Sequence, residues 1–306
     1  MTNPAHWTAC SNTELVAETN KFMPRILACT DGSTFASSVY QHAAWAATRL
    51  AMGVEVLHVI DHHREHSAKT DLTGAIGFDT TVELTEELTK LDEAQGREAR
   101  LKGKGILESA RQQLTVAGVT NITLTQRHGT VVETLAELEP RAELVVVGKS
   151  GDHAVLAPGQ VGGHLENLIR TSVRPVLVAE RSFKPIQRFL IAFDNSPSAR
   201  KAVAYVVASP FLRGLECHLV MVGRTDTAHE TALNEAREQL TRVGYAVTAK
   251  LLPGSPTLVI SGLVKSAGIE LLVMGAYGHS QIREFFVGST TTKMVRTCAA
   301  SVLMFR

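Results

Sequence analysis

"ELVVVG" at residues 143–148 and "ELLVMG" at residues 270–275 are almost the same hexapeptide, written twice. Each is a short apolar run that stops at a glycine, as a strand buried on both faces of a sheet reads. The flanking sequence repeats as well. "RILACTD" (25–31) and "RFLIAFD" (188–194) are apolar runs ending in Asp31 and Asp194. Helical stretches follow, "TFASSVYQHAAWAATRLAM" and "PSARKAVAYVVASPFL", and then the strands "VEVLHVID" and "CHLVMVG". Asp31 to Val59 and Asp194 to Val222 are both 28 positions. Pro197 suits the first turn of a helix, where its missing N–H costs nothing. "RHGTVVETL" and "LPGSPTLVI" each set a glycine and a hydroxyl at a helix start, with Thr130 and Glu133 spaced as a capping box. "RPVLVAE" and "ASVLMFR" close the two units as final strands. Strands alternating with amphipathic helices predict an α/β fold built on parallel sheet.

The two copies differ in length at one place. Val59 to Gly129 spans 70 positions and Val222 to Gly254 spans 32, so the first copy carries 38 more. The surplus begins as "DHHREHSAKTDLTGAIGFDTT", polar and rich in loop formers, and becomes helix-like from about residue 82 to 114. It is expected as an insertion over 61–100, either a loop beside the strand ends or an extended helix, with "EELTKL" offering i,i+4 pairs. Expected boundaries are an arm at 1–21, a first domain at 22–183 and a second at 184–306. "HAAWAA" with Trp45 reads as a helix packed on the sheet.

Composition narrows the function classes. The chain has 306 residues, 44% apolar and 20% charged, with a net charge of +1. No basic patch marks nucleic-acid binding and no apolar run reaches membrane-spanning length. Cys10, Cys29, Cys217 and Cys298 are scattered, without a CxxC pair, which fits a reducing compartment. The polar opening "MTNPAHWTACSNTELVAETNK" is unlike a signal peptide. A cytoplasmic protein is expected.

The candidate site is "GAYGHSQIREFFVGSTT", residues 275–291. In an open parallel sheet, ligands bind beyond the carboxyl ends of the strands. That edge of the second unit collects Ala192, Phe193, Asp194, Val222, Met274 and Gly275. Glycine after a strand lets the backbone pass close to a ligand. Gly288 leads into the last helix, where bare N–H groups and the dipole suit phosphate. Ser289 and Thr290 add hydroxyl donors, and His279 and Arg283 can add positive charge. The segment from Gly278 onward would wrap the phosphates, and a base would lie against Val222 while Asp194 accepts hydrogen bonds. The plainer readings are that the glycines only form turns, that Asp194 caps a helix and that Arg283 is a solvated charge.

These residues carry a family resemblance. The chain resembles a tandem universal stress protein, with two fused UspA-like domains, over about residues 22–306. The family's ATP pattern is G-2x-G-9x-G-(S/T), matched at full spacing by Gly275, Gly278, Gly288 and Ser289, with Asp194 matching the first strand's aspartate. The resemblance implies five-stranded Rossmann-like (adenine nucleotide alpha hydrolase-like) domains and ATP at the carboxyl edge, with or without Mg2+. It also implies domains paired through their last strands, here as an intramolecular pseudo-dimer, and a stress-response or regulatory role.

The first unit departs from the pattern. Gly148 and Gly151 fit, but ten residues, not nine, precede Gly162, and Gly163 stands where Ser or Thr belongs. Asp152 and Pro158 crowd the segment, although Thr30, Asp31 and Val59 remain. This site is expected to be weaker, altered or empty. "GKS" at 148–150 has the look of a Walker A ending, but Glu143 replaces the leading glycine. His62, His63 and His66, with Asp61 and Glu65, are types that bind zinc. A polar surface loop explains them without metal, and zinc is the less favoured reading. An enzyme, such as a slow ATPase, ranks below a binder, because neither a base nor a metal-holding carboxylate pair stands near the glycines. A scaffold for another ligand, a protein partner or a homodimer are the remaining alternatives.

Overall fold

The computed structural model describes residues 23–60, 81–149, 163–276 and 289–306. The N-terminal arm, the histidine run at 62–66, Gly151, Gly162, Gly278, His279, Arg283 and Gly288 lie outside the described residues. The first half comprises β1 (Arg25–Cys29), α1 (Ala36–Leu50), β2 (Gly53–Ile60), α2 (Thr81–Val116), β3 (Ile122–His128), α3 (Val131–Leu138), β4 (Ala142–Gly148), α4 (Gly163–Thr171) and β5 (Val176–Ala179). The second comprises β6 (Arg188–Ala192), α5 (Pro197–Ala208), β7 (Glu216–Val222), α6 (Thr227–Arg242), β8 (Val247–Leu252), α7 (Pro256–Ser266), β9 (Leu271–Gly275), α8 (Ser289–Thr297) and β10 (Ser301–Phe305). One ten-stranded sheet runs through both, in the order β3-β2-β1-β4-β5-β10-β9-β6-β7-β8. Every pairing is parallel except the central one, β5 with β10.

Side chains alternate across the strands, so each strand feeds two cores. Ile26 and Ala28 of β1 join Val39 and Ala43 of α1 and Leu114 of α2 on one face. Leu27 joins Leu135 of α3 and Leu168 of α4 on the other. The helix ends follow their sequence signals. Ser196 caps α5 by accepting from Ala199 N–H, with Pro197 next in the first turn. Thr130 caps α3 by accepting from Glu133 N–H, and its hydroxyl donates to Glu133 Oε2 at 2.7 Å. That variant of the capping box leaves the reciprocal bond on the hydroxyl rather than on the backbone.

The register makes the duplication quantitative. Arg25 pairs with Gly53 as Arg188 pairs with Glu216, an offset of 163 between the halves. Val54 pairs with Ile122 as Cys217 pairs with Val247, and by β3 the offset is 125. The difference is the 38-residue surplus. Much of it becomes helix: α2 has 36 residues where α6 has 16. By the offset, α6 starts level with Lys102, so α2 continues past that point toward its N-terminus, and Leu101 there is exposed. At the centre, Leu177 pairs with Leu303, flanked by Val176 with Met304 and Val178 with Val302. The cross-pairs on either side are equivalent, so a pseudo-two-fold axis passes through the Leu177–Leu303 pair.

The halves also meet through helices. Trp45 of α1 packs on Phe211, with ring centres 4.7 Å apart, and Arg49 Nε donates to the Phe211 carbonyl at 2.8 Å. Trp45 is therefore a half-buried seam residue joining the two halves, not only a contact of helix on sheet. His42, one turn earlier, is buried. Its Nδ1 lies 2.8 Å from the Ser38 carbonyl and its Nε2 lies 2.7 Å from Ser301 Oγ on β10. A carbonyl only accepts, so Nδ1 carries the proton and Nε2 takes the serine proton. Ser301 Oγ in turn accepts from Glu180 N–H at 3.0 Å.

Burial pushes the His42 imidazole down to about 4. The unfolded chain takes up that proton near pH 6.5 while the folded chain stays neutral. The His42 contribution is therefore complete above pH 6.5 and is lost as pH falls from 6.5 toward 4, at most about 3 kcal/mol. Denaturant titrations between pH 7.5 and 4.5 should show this slope. A His42→Gln variant should lose that part of it, whereas contributions common to both proteins cancel in the difference.

Candidate functional site

The site is assembled at the carboxyl ends of β6, β7 and β9. After β6, Asp194 Oδ1 accepts Ser196 N–H at 3.0 Å, closing a turn in which Asn195 has φ of 60°. The first half does the same thing: Asp31 Oδ1 accepts Ser33 N–H at 2.9 Å, around Gly32 with φ of 76°. Gly and Asn are the residues that tolerate this left-handed conformation. The aspartate thus braces the turn, and in the second half the helix cap itself is Ser196. Phe193 N–H donates to the Val220 carbonyl, extending the β6–β7 ladder to the aspartate's neighbour.

Gly275 ends β9 with a steric reason of its own. A Cβ there would lie 2.4 Å from Ser198 Oγ and 2.9 Å from Ala199 N, at the first turn of α5. The glycine therefore lets α5 lie against the strand end. Ala276 follows, buried; its N–H donates to the Phe305 carbonyl at 2.7 Å. Its own carbonyl accepts from Thr291 Oγ1 at 2.9 Å. Thr291 belongs to the hydroxyl run after Gly288, and its buried side chain pins the first turn of α8 beside the end of β9. From sequence, Ser289 and Thr290 of that run read as ligand donors and Thr291 has no assigned role; only contacts across the fold show that Thr291 holds the helix start and that Ser198 sets the need for glycine.

Of the expected residues, the structure brings Ala192, Phe193, Asp194, Val222, Met274, Gly275, Ser289 and Thr290 to this one edge, as strand ends, the turn after β6 and the start of α8. In the first half, Thr30, Asp31, Val59, Gly148 and Gly163 occupy the equivalent places, at the ends of β1, β2 and β4 and the start of α4. The surroundings differ. Thr30 Oγ1 is 2.8 Å from Tyr40 OH, and the Thr30 carbonyl lies 2.9 Å from His58 Nδ1, a buried imidazole where the second half has Met221. Ile106 of the long α2 reaches within 2.7 Å of where a Cβ on Gly32 would stand. Lys149, next to Gly148, turns its ammonium away to Glu180 and to carbonyls of the second half.

Among the described residues, no cluster of three His, Cys, Asp or Glu side chains could hold a metal, and no helix is long and apolar enough to cross a membrane. Burial pushes the thiols of Cys29 and Cys217 up to about 12 and that of Cys298 upward. None is an activated nucleophile. Substituting Gly275→Ala should lower stability by about 1–3 kcal/mol in equilibrium denaturation, because the backbone of Ala199 cannot yield without moving α5.

The comparisons with known proteins agree with this architecture. The sequence profile of the universal stress protein family matches residues 23–180 and 219–306. The interval between the two segments holds β6 and Asp194, which the register nevertheless aligns with β1 and Asp31. Universal stress protein Slr1230 of Synechocystis is 33% identical over 287 residues, covering 93% of this chain and all of the relative. A universal stress protein from Archaeoglobus fulgidus superposes with a TM-score of 0.68 at 19% identity, covering 92% of this chain and 98% of that one. A shorter protein of the family from Arabidopsis thaliana, solved with AMP bound, matches 39% of this chain and 90% of its own at 16% identity, with a TM-score of 0.32. With both halves of the sheet built on one plan and both matched by the same profile, the chain belongs to the universal stress protein family.

Proposed function

We propose that this chain is an adenine-nucleotide-binding regulatory protein of the cytoplasm, holding ATP chiefly in its second half. One observation carries the reading. Thr291 bonds to the Ala276 carbonyl and so fixes the start of α8 beside the end of β9, on the edge where Asp194 ends its turn. Gly275 and Ser289, the described ends of the G-2x-G-9x-G-S motif, therefore lie on the same edge, which supports this reading. The amides of the first turn of α8 supply the donors and dipole that a polyphosphate needs. Ser289 and Thr290 add hydroxyls, and Asp194, oriented by Ser196, accepts from the nucleoside. Gly278, His279, Arg283 and Gly288 complete the phosphate contacts in this reading, and Mg2+ would arrive with ATP.

The first half is proposed as the weaker site. It lacks the Ser/Thr at position 163, and its one lysine next to Gly148 is engaged elsewhere. An ATPase reading has no residue in its favour among those at this edge.

Native mass spectrometry of the purified protein should show one adenine nucleotide per chain; two would place the halves on an equal footing. In calorimetry, Asp194→Ala should weaken ATP binding about tenfold, equivalent to about 1.4 kcal/mol. Gly288→Val should abolish it. Phosphate release at the same rate from wild type and Gly288→Val would assign any turnover to a contaminant.

A further inference from the structure

Lys149 is the lysine of the "GKS" that imitates a Walker A ending, yet its ammonium does not face its own half's site. Its side chain is only 9% exposed and is paired with the Glu180 carboxylate, itself 30% exposed. The same ammonium donates to the carbonyls of Cys298 and, at 3.1 Å, Ala300. Cys298 N–H bonds back to the Met294 carbonyl, so its own carbonyl belongs to the C-terminal end of α8. The Cys298 carbonyl is one of the orphan acceptors that every helix leaves at its end, where a cation is favoured by the dipole, and Ala300 lies just beyond it in the connection to β10. Because β5 and β10 run antiparallel, the carboxyl edge of the first half lies beside the amino edge of the second. The residue following Gly148 thereby reaches the far end of the helix whose other end is the proposed phosphate cradle. The reverse contact is slight: Arg306 Nη1 approaches the Thr171 carbonyl, at the end of α4, at 3.4 Å on an exposed side chain.

We propose that Lys149 is a positioning residue for the nucleotide site of the other half. It sets the phosphate affinity of α8 by holding the helix C-terminus in place. α8 has nine residues, little more than two turns; Met294 and Val295 bury its middle in the core, and its polar tethers sit at opposite ends, Thr291 near the start and Lys149 at the finish. With the second anchor gone, a bound phosphate has to order the helix as well as contact it, and that ordering is subtracted from affinity. A nucleoside without phosphate does not draw on α8 and escapes the loss.

The inference rests on the proposed nucleotide reading, and the test separates the two. Lys149→Met, or Lys149→Gln should the first not fold, is compared with wild type in two measurements. Hydrogen exchange of the α8 amides needs no ligand; it should quicken about tenfold in α8 and stay unchanged in α6. In calorimetry, the Kd for ATP should rise about tenfold while that for adenosine stays constant. Lys149→Arg, which keeps the charge, should restore most of the affinity. Unchanged α8 exchange overturns the proposal, and so does an equal loss for ATP and adenosine. If wild type binds neither, the nucleotide reading fails, and the exchange result alone decides whether Lys149 holds α8.

Discussion

Everything in this molecule hangs on the antiparallel seam between β5 and β10. An isolated five-stranded half would leave its last strand as an open edge, a row of unpaired backbone donors and acceptors flanked by apolar side chains. Pairing Leu177 with Leu303 closes both edges at once. The seam also fixes the orientation of one half against the other, since strand register leaves no freedom of rotation or slide where both faces are buried. The helical contacts then follow. Trp45 finds Phe211, Arg49 finds the Phe211 carbonyl and His42 finds Ser301 because the strands have already brought those elements together.

Much of the fold was legible because its signals are local. Buried strands announce themselves as runs such as "LVVV" and "LLVM", and Ser196-Pro197 announces a helix start whatever lies around it. Duplication made the reading stronger: two copies with matching landmarks located the surplus in the first half, and the register returns the same 38 positions. The extended-helix alternative for that surplus is what α2 displays over the described residues. What was not legible depends on approaches between distant segments. Nothing around Gly275 states that Ser198 will press on it, and nothing in "GKS" states that the lysine will leave its own half. The partners of His42 are four and 259 positions away; only the first lies within reach of a periodicity argument. Trp45 was readable as apolar and helical, but not as a residue of the seam.

The two halves share a plan and differ in detail. At the end of β1, Gly32 faces Ile106 of an elongated helix; at the end of β6, Asn195 occupies the same place before a helix of ordinary length. His58 lies over the Thr30 carbonyl where Met221 stands in the other half. Beside Gly148 is a lysine with three oxygen partners, and beside Gly275 an alanine with two backbone bonds. These replacements change chemistry at the carboxyl edges, whereas core positions that differ, such as Ile26 against Phe189 and Ala28 against Ile191, stay apolar in both halves.

The His42–Ser301 bond shows what covalent fusion permits. The positions related to them by the pseudo-two-fold are Tyr205 and Pro175, so the bond exists once, on one side of the axis. In a dimer of identical chains any replacement at such a contact is made twice, and a change that helps on one side must be tolerated on the other. Joining the copies in one chain removes that obligation. One gene then encodes two surfaces that mutate independently, and a hydrogen bond suited to only one side can be kept without a mirror image.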